Sequence, residues 1–194
     1  MSELPRCRSE IQEILPRIFL TSYFAVNRGK LQNFQKYGIT HVICCAKELD
    51  LCHAGKEILV HRDGSTYDGR ALDGEAPCRV SLSYLRLPLV DNPSQEILEH
   101  CRRAYEWIED ALRCVRCRVL LHCAAGCSRS AAVLIGYVML RYRRRFEDAL
   151  GVVRTGRPIV DINLGFETQL RHLETEVVQE DRGLHCPLSS VVEL

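Results

Sequence analysis

The chain has 194 residues, 26 Lys and Arg against 25 Asp and Glu, and a formal charge of +1. That length suits one domain with short tails and leaves little room for a second core. At 46% hydrophobic and 26% charged it reads as neither a membrane protein nor a disordered chain, and its neutrality argues against nucleic-acid binding by charge alone.

In chain order, Arg17-Ile18-Phe19-Leu20 reads as a short strand. Tyr23 to Tyr37 reads as a helix burying Phe24, Leu31 and Phe34, closed by Gly38. Ile39 to Cys45 is β-branched and apolar, as in a strand covered on both faces. Lys47 to Ser83 carries four glycines and the apolar run Ile58-Leu59-Val60. A structureless loop of that length is unusual inside a domain, so a hairpin or excursion is expected, mobile at its Thr66–Pro77 tip. Tyr84 to Leu87 resumes as a strand. Asp91-Asn92-Pro93-Ser94 is a helix-start signal, an Asx cap followed by proline. From there to about Cys114, Ile97, Leu98, Cys101, Ala104, Ile108 and Leu112 recur at helical spacing. Val119 to His122 is an apolar strand, and helices are expected over Ser130–Tyr142, Phe146–Thr155 and Phe166–Glu176. The alternation predicts an α/β fold, a mostly parallel central sheet of about five strands flanked by helices.

The segment His122-Cys123-Ala124-Ala125-Gly126-Cys127-Ser128-Arg129-Ser130 joins the last strand to a helix. Small side chains let such a loop curl with its N–H groups inward, an anion-binding nest to which the helix N-terminus adds positive potential. A thiol at the floor of that field favours its anionic, nucleophilic form. An arginine at the rim can grip two phosphate oxygens.

On this His-Cys-x5-Arg-Ser signature the sequence resembles the cysteine-dependent dual-specificity protein phosphatases, in their small, single-domain "atypical" branch. Ile39-Thr40-His41-Val42, Gly136-Tyr137-Val138-Met139, Arg157-Pro158-Ile159 and Asn163 through Leu170 also resemble that family, so the likeness runs from about Leu15 to Glu176. It implies a domain over 14–178, with a longer-than-usual excursion at 47–83, an N-terminal extension over 1–13 and a tail over 179–194. Thr21 and Ile162 depart from the family, which often has glycine and proline there.

The resemblance implies a metal-independent, cofactor-free mechanism. Cys123 attacks phosphorus and forms a cysteinyl-phosphate. Arg129 and the N–H groups of Ala124, Ala125, Gly126, Cys127, Ser128 and Arg129 hold the phosphoryl oxygens. Asp91 protonates the leaving oxygen and then activates water. Ser130 matches the hydroxyl that stabilises the departing thiolate, and His122 and Asn163 match supporting residues. The implied partners are phosphorylated proteins bearing phosphotyrosine, phosphoserine or phosphothreonine, with no nucleic acid and no membrane anchor. Uncharged Ala124, Ala125 and Cys127 argue against phosphoinositides, whose extra phosphates call for lysines.

Plainer readings stand beside these. Asp91 alone would serve as a helix cap, Ser130 as a first-turn helix residue and His122 as a structural histidine. A phospho-binding adaptor without turnover, or a phosphatase acting on a non-protein phosphate, are the rival functions. The eleven cysteines are an odd count, so one thiol stays free or pairs with another chain. Met1-Ser2-Glu3-Leu4-Pro5 shows no secretory signal and no apolar run suits a bilayer, so reduced thiols in the cytoplasm, with the nucleus also open, are expected. In some relatives a cysteine placed like Cys45 forms a disulfide with the nucleophile, and Cys127 is a second candidate, against the plain reading of a buried thiol. Cys114-Val115-Arg116-Cys117 has the spacing of a redox or zinc motif but lacks a second such pair; chance is the default. Arg141 to Arg145 suits a helix C-terminus, with a docking surface as the alternative, and the final Val192-Glu193-Leu194 fits a carboxylate-binding groove only as short tails often do.

Overall fold

The structure, a computed structural model, describes residues 10–61 and 76–181. Its first half contains β1 (Gln12–Leu15), β2 (Ile18–Ser22), a 3-10 turn (Tyr23–Ala25), α1 (Leu31–Tyr37), β3 (His41–Cys44), β4 (Glu57–Val60) and β5 (Cys78–Ser81). Then come β6 (Ser83–Arg86), α2 (Leu98–Leu112), β7 (Val119–Cys123), α3 (Arg129–Tyr142), α4 (Phe146–Gly156) and α5 (Leu164–Asp181).

The five-stranded sheet has the order β1-β2-β7-β3-β6. β2, β7, β3 and β6 run parallel, and β1 is an antiparallel edge. β7 lies at the centre, and its buried run Val119-Leu120-Leu121-His122-Cys123 explains why: both faces are covered. Side chains alternate between two cores. Ile18, Leu20, Ile43, Val119 and Leu121 face the helices α2 to α5. Phe19, Val42 and Leu120 face the opposite way, onto Phe34 of α1 and onto Ile58 and Val60 of β4. Cys123 therefore ends the middle strand, at the carboxyl end of the parallel strands where open α/β sheets bind ligands.

The helix expected over Tyr23–Tyr37 is shorter. A 3-10 turn and an irregular stretch precede α1, and Phe24 is 63% exposed while Phe34 is fully buried. Asn27-Arg28-Gly29 interrupts the helical pattern, with Gly29 N–H donating to Asn27 Oδ1 at 3.3 Å as in an Asx turn. Gly38 closes α1 at φ 62°, as its position suggested. The Asp91-Asn92-Pro93-Ser94 signal marks a turn instead of a helix start. Ser94 N–H donates to Asn92 Oδ1 at 2.8 Å, and α2 begins only at Leu98. The alternation that would have revealed β1 is too short to read. β1 starts within the stretch taken as an N-terminal extension.

The 47–83 excursion contains an antiparallel hairpin, β4 against β5, in register Ile58↔Val80 and Val60↔Cys78. Ile58 and Val60 are 2% and 0% exposed, so this hairpin completes the second core instead of lying loose on the surface. Its expected mobile tip falls mostly outside the described residues. The expected C-terminal tail does too, apart from the last turn of α5, and so does the Val192-Glu193-Leu194 terminus. No helix among the described residues is long and apolar enough to cross a membrane.

Candidate active site

The loop between β7 and α3 is built from carbonyls held outward. Ala124 O accepts Tyr23 N–H at 3.2 Å, Cys127 O accepts Asp161 N–H at 3.0 Å, and Gly126 O accepts Arg157 Nε at 2.7 Å. Those oxygens are engaged by the surrounding scaffold, and Gly126 N–H points back to Cys123 Sγ at 3.2 Å, as in a nest. Arg157 is fully buried, and its Nη1 also donates to Gln12 Oε1 at 2.6 Å, tying the loop to the edge strand β1. Gly126 sits at φ 69°, and a Cβ there would lie 2.4 Å from Thr21 O. Only glycine allows both the left-handed turn and that approach.

Cys123 Sγ lies at the floor, 1% exposed as a residue. It accepts Gly126 N–H and Ser130 Oγ–H, each at 3.2 Å. Two donors are thus aimed at one sulfur. Ser130 is wholly buried in the first turn of α3, beyond a simple surface helix position.

Arg129 is held from behind. Its Nη1 donates to Glu48 Oε1 and Oε2 at 2.6 and 2.8 Å and to Leu89 O at 3.4 Å. Its Nε is buried with no hydrogen-bond partner, facing Asp91 Oδ2 at 3.8 Å. Burial opposes the guanidinium charge, but the bonds and charges of Glu48, Cys123 and Asp91 outweigh it and raise its pKa. Burial likewise pushes Glu48 up, yet the Arg129 hydrogen bonds and charge bring it below the ordinary carboxylate value.

Asp91 reaches the rim from the β6–α2 connection. Its Oδ1 accepts Ser128 Oγ–H at 2.7 Å and Asn163 Nδ2–H at 2.9 Å. The start of α5 clasps this connection along its length. Asn163 also caps the helix through Phe166 N–H at 3.0 Å, and a Cβ on Gly165 would lie 1.9 Å from Pro93 O. Gln169 Oε1 accepts Ile97 N–H at 2.8 Å, and its Nε2 donates to Gln95 O at 2.9 Å.

His122 is buried between β3 and β2. Burial pushes its pKa down to about 4 against a hydrogen bond with the Cys123 backbone, so the ring is neutral and its Nδ1 has no partner. Cys45 donates its N–H to His122 O at 2.8 Å, next to the Cys123 strand, but complete burial pushes its thiol well above the usual value. Cys127 is half-buried in the loop, and no disulfide joins it to Cys123 in the structure. Among the described residues no group of three or more His, Cys, Asp or Glu is placed to hold a metal ion.

The structure thus brings Cys123, Arg129, Asp91, Ser130, Asn163 and the loop backbone together. Sequence reasoning passed over Glu48, Gln169, Tyr23 and the role of Arg157. Glu48 lies in an irregular stretch where one acidic residue looks like any other, and only folding brings it to Arg129.

Residues 18–176 match the family model described as the dual specificity phosphatase catalytic domain. Serine/threonine/tyrosine-interacting protein A of Xenopus laevis is 34% identical over 167 residues, which make up 86% of this chain and 66% of that protein. The matched region is thus just under two thirds of that relative's length. Human dual specificity protein phosphatase 22 is 37% identical over 111 residues, 57% of this chain and 59% of that one. The crystal structure of the human tyrosine phosphatase-like serine/threonine/tyrosine-interacting protein superposes with a TM-score of 0.68 at 32% identity, covering 88% of this chain and 99% of that one. With the loop and its arginine at the carboxyl end of the central strand, the chain belongs to the dual-specificity phosphatase family.

Proposed function

We propose that the chain is an active protein phosphatase that hydrolyses phosphotyrosine and phosphoserine or phosphothreonine through a cysteinyl-phosphate on Cys123. The observation that carries this reading is the pair of donors on the Cys123 sulfur, Gly126 N–H and Ser130 O–H at 3.2 Å each. A merely structural buried thiol has no need of them. The buried Nε of Arg129 supports it further: it has no hydrogen-bond acceptor, with Asp91 Oδ2 at 3.8 Å its ion-pair partner, and such a donor is costly unless a ligand supplies the acceptor.

The steps follow from these positions. A phosphate monoester enters the nest, and its equatorial oxygens take hydrogen bonds from the loop and from the Arg129 face that Glu48 leaves open. The Cys123 thiolate attacks phosphorus in line, and Asp91 gives its proton to the departing oxygen. Asp91, now a carboxylate, takes a proton from the water that attacks the intermediate. Ser130 steadies the thiolate as it is released. Protein substrates with any of the three phosphorylated residues are inferred from the family.

A second reading is a phospho-binding protein that shelters its target without turnover. The relatives named for interaction favour it, as does the Glu48 carboxylate on Arg129, which competes with phosphate for positive charge. Turnover of an aryl phosphate in the presence of EDTA separates the two. Hydrolysis that is lost in Cys123→Ser and in Arg129→Ala is expected. Phosphopeptide binding with no turnover by the unmodified chain would establish the second reading.

A further inference from the structure

The connection from α2 to β7 carries a pair of thiols far from this chemistry. Cys117 N–H donates to Cys114 O at 3.0 Å, closing a turn over residues 114–117. The end Cα atoms of such a turn lie within about 7 Å, which overlaps the ~4.4–6.8 Å span of a disulfide. Each thiol shifts the other's proton affinity, Cys117 lowering the pKa of Cys114 and Cys114 raising that of Cys117. Arg17 fastens the turn from outside. Its Nη1 donates to Cys114 O at 3.0 Å and to Cys117 O at 3.5 Å, and its Nη2 to Leu112 O at 3.2 Å.

The two thiols differ as an attacker and a resolver should. Cys114 is exposed, and a bond from the Arg116 backbone, the Cys117 thiol and the Arg116 charge lower its pKa. Cys117 is half-buried, and burial raises it. Buried Cys44 and Cys101 are pushed up to about 11 and about 12, and Cys45 is also raised. The pair precedes β7 and Cys123 ends it, so at ~3.3 Å per residue the strand alone keeps them about 13 Å apart.

We propose that Cys114 and Cys117 form a dithiol site, separate from the Cys123 loop, that reacts with small disulfides such as oxidised glutathione and closes to an intramolecular disulfide. In the first step the Cys114 thiolate attacks one sulfur of oxidised glutathione. The glutathione S–S bond breaks, a mixed disulfide forms on Cys114, and one glutathione leaves as thiolate and takes up a proton. In the second step Cys117 gives its proton to solvent and attacks the Cys114 sulfur. That breaks the mixed disulfide and expels the second glutathione. Two protein thiols are oxidised and one glutathione disulfide is reduced to two thiols. The turn makes the second step intramolecular, which favours closure over accumulation of the mixed disulfide.

The test uses the full chain with Cys123→Ser, so that its outcome is independent of the phosphatase reading. The protein is incubated with oxidised glutathione, remaining thiols are alkylated, and peptides are mapped by mass. The expected result is a segment spanning residues 114–117 that has lost two hydrogens, cannot be alkylated, and recovers both thiols on reduction. Adding Cys117→Ser leaves glutathione stably attached at Cys114. Adding Cys114→Ser slows modification of Cys117 by at least about tenfold, as expected when a raised, half-buried thiol must attack first. Three results would overturn the proposal. Glutathione would persist on Cys114 while Cys117 is intact, or Cys114 would cross-link to Cys78, whose sulfur accepts Arg116 Nη1 at 3.7 Å. The third is that both thiols stay alkylatable after other cysteines have reacted.

Discussion

Asp91 and Ser130 each have an ordinary structural explanation and a chemical one, and single substitutions separate them. Asp91 Oδ1 is held by Ser128 and Asn163 at the loop rim, where an acid can meet a leaving group. Asp91→Asn keeps those contacts but has no proton of suitable acidity. We expect kcat to fall about 10²–10⁴-fold with little change in binding. A purely structural tie to Ser128 and Asn163 would leave kcat intact and lower only stability. Ser130→Ala removes one of two donors to Cys123 Sγ, so breakdown of the intermediate should become limiting and a burst of leaving group should appear in stopped-flow traces. Glu48 acts through Arg129. Glu48→Gln frees the guanidinium fork from its anchor, and we expect KM for an aryl phosphate to rise about tenfold, equivalent to ~1.4 kcal/mol, with kcat changed less. A fall in KM would mean instead that Glu48 competes with phosphate more than it positions Arg129.

At the scale of elements, the start of α5 and the Asp91 connection behave as one unit. Asn163, Gly165 and Gln169 touch Asp91, Pro93 and the Gln95–Ile97 backbone respectively. Gly165→Ala must push Pro93 away, which we expect to cut kcat with retained phosphate binding and to cost ~1–3 kcal/mol in urea unfolding. This clasp explains why the Asn163 to Leu170 pattern was recognisable without its purpose being readable. The residues carry a long-range contact that no local period encodes. The strands β2, β3, β6 and β7 and the long helices were legible because their apolar spacing is local. The Cys123 loop was legible because its chemistry needs small residues at fixed intervals. Asp91-Asn92-Pro93-Ser94 misled because an Asx turn and a helix cap use the same side-chain acceptor in the same way. Glu48, Arg157 and Gln169 lie far from Cys123 in sequence and gained their roles only through packing.

Across the whole molecule, the site depends on a central strand kept dry on both faces. The β4–β5 hairpin supplies part of that cover, so the long excursion contributes to stability before any question of substrate arises. His122 within β7 links that dryness to pH. Its pKa in the fold is about 4, below the ordinary value of 6.5, so the unfolded chain binds the proton more readily between those values. Stability from the neutral ring is therefore complete above pH 6.5 and is lost as pH falls toward 4, roughly 3 kcal/mol in all. Urea unfolding from pH 7 to 4 should show this slope, and His122→Gln should flatten it. The proposed mechanism stands on a covalent intermediate at Cys123, and trapping that intermediate is the decisive experiment. Asp91→Asn protein is mixed with an aryl phosphate, quenched in acid within milliseconds and digested for mass spectrometry. Phosphate is expected on the peptide containing Cys123 and none in the Cys123→Ser counterpart. Turnover of substrate with no phosphate ever found on Cys123, or with phosphate on another residue, would contradict the proposed mechanism.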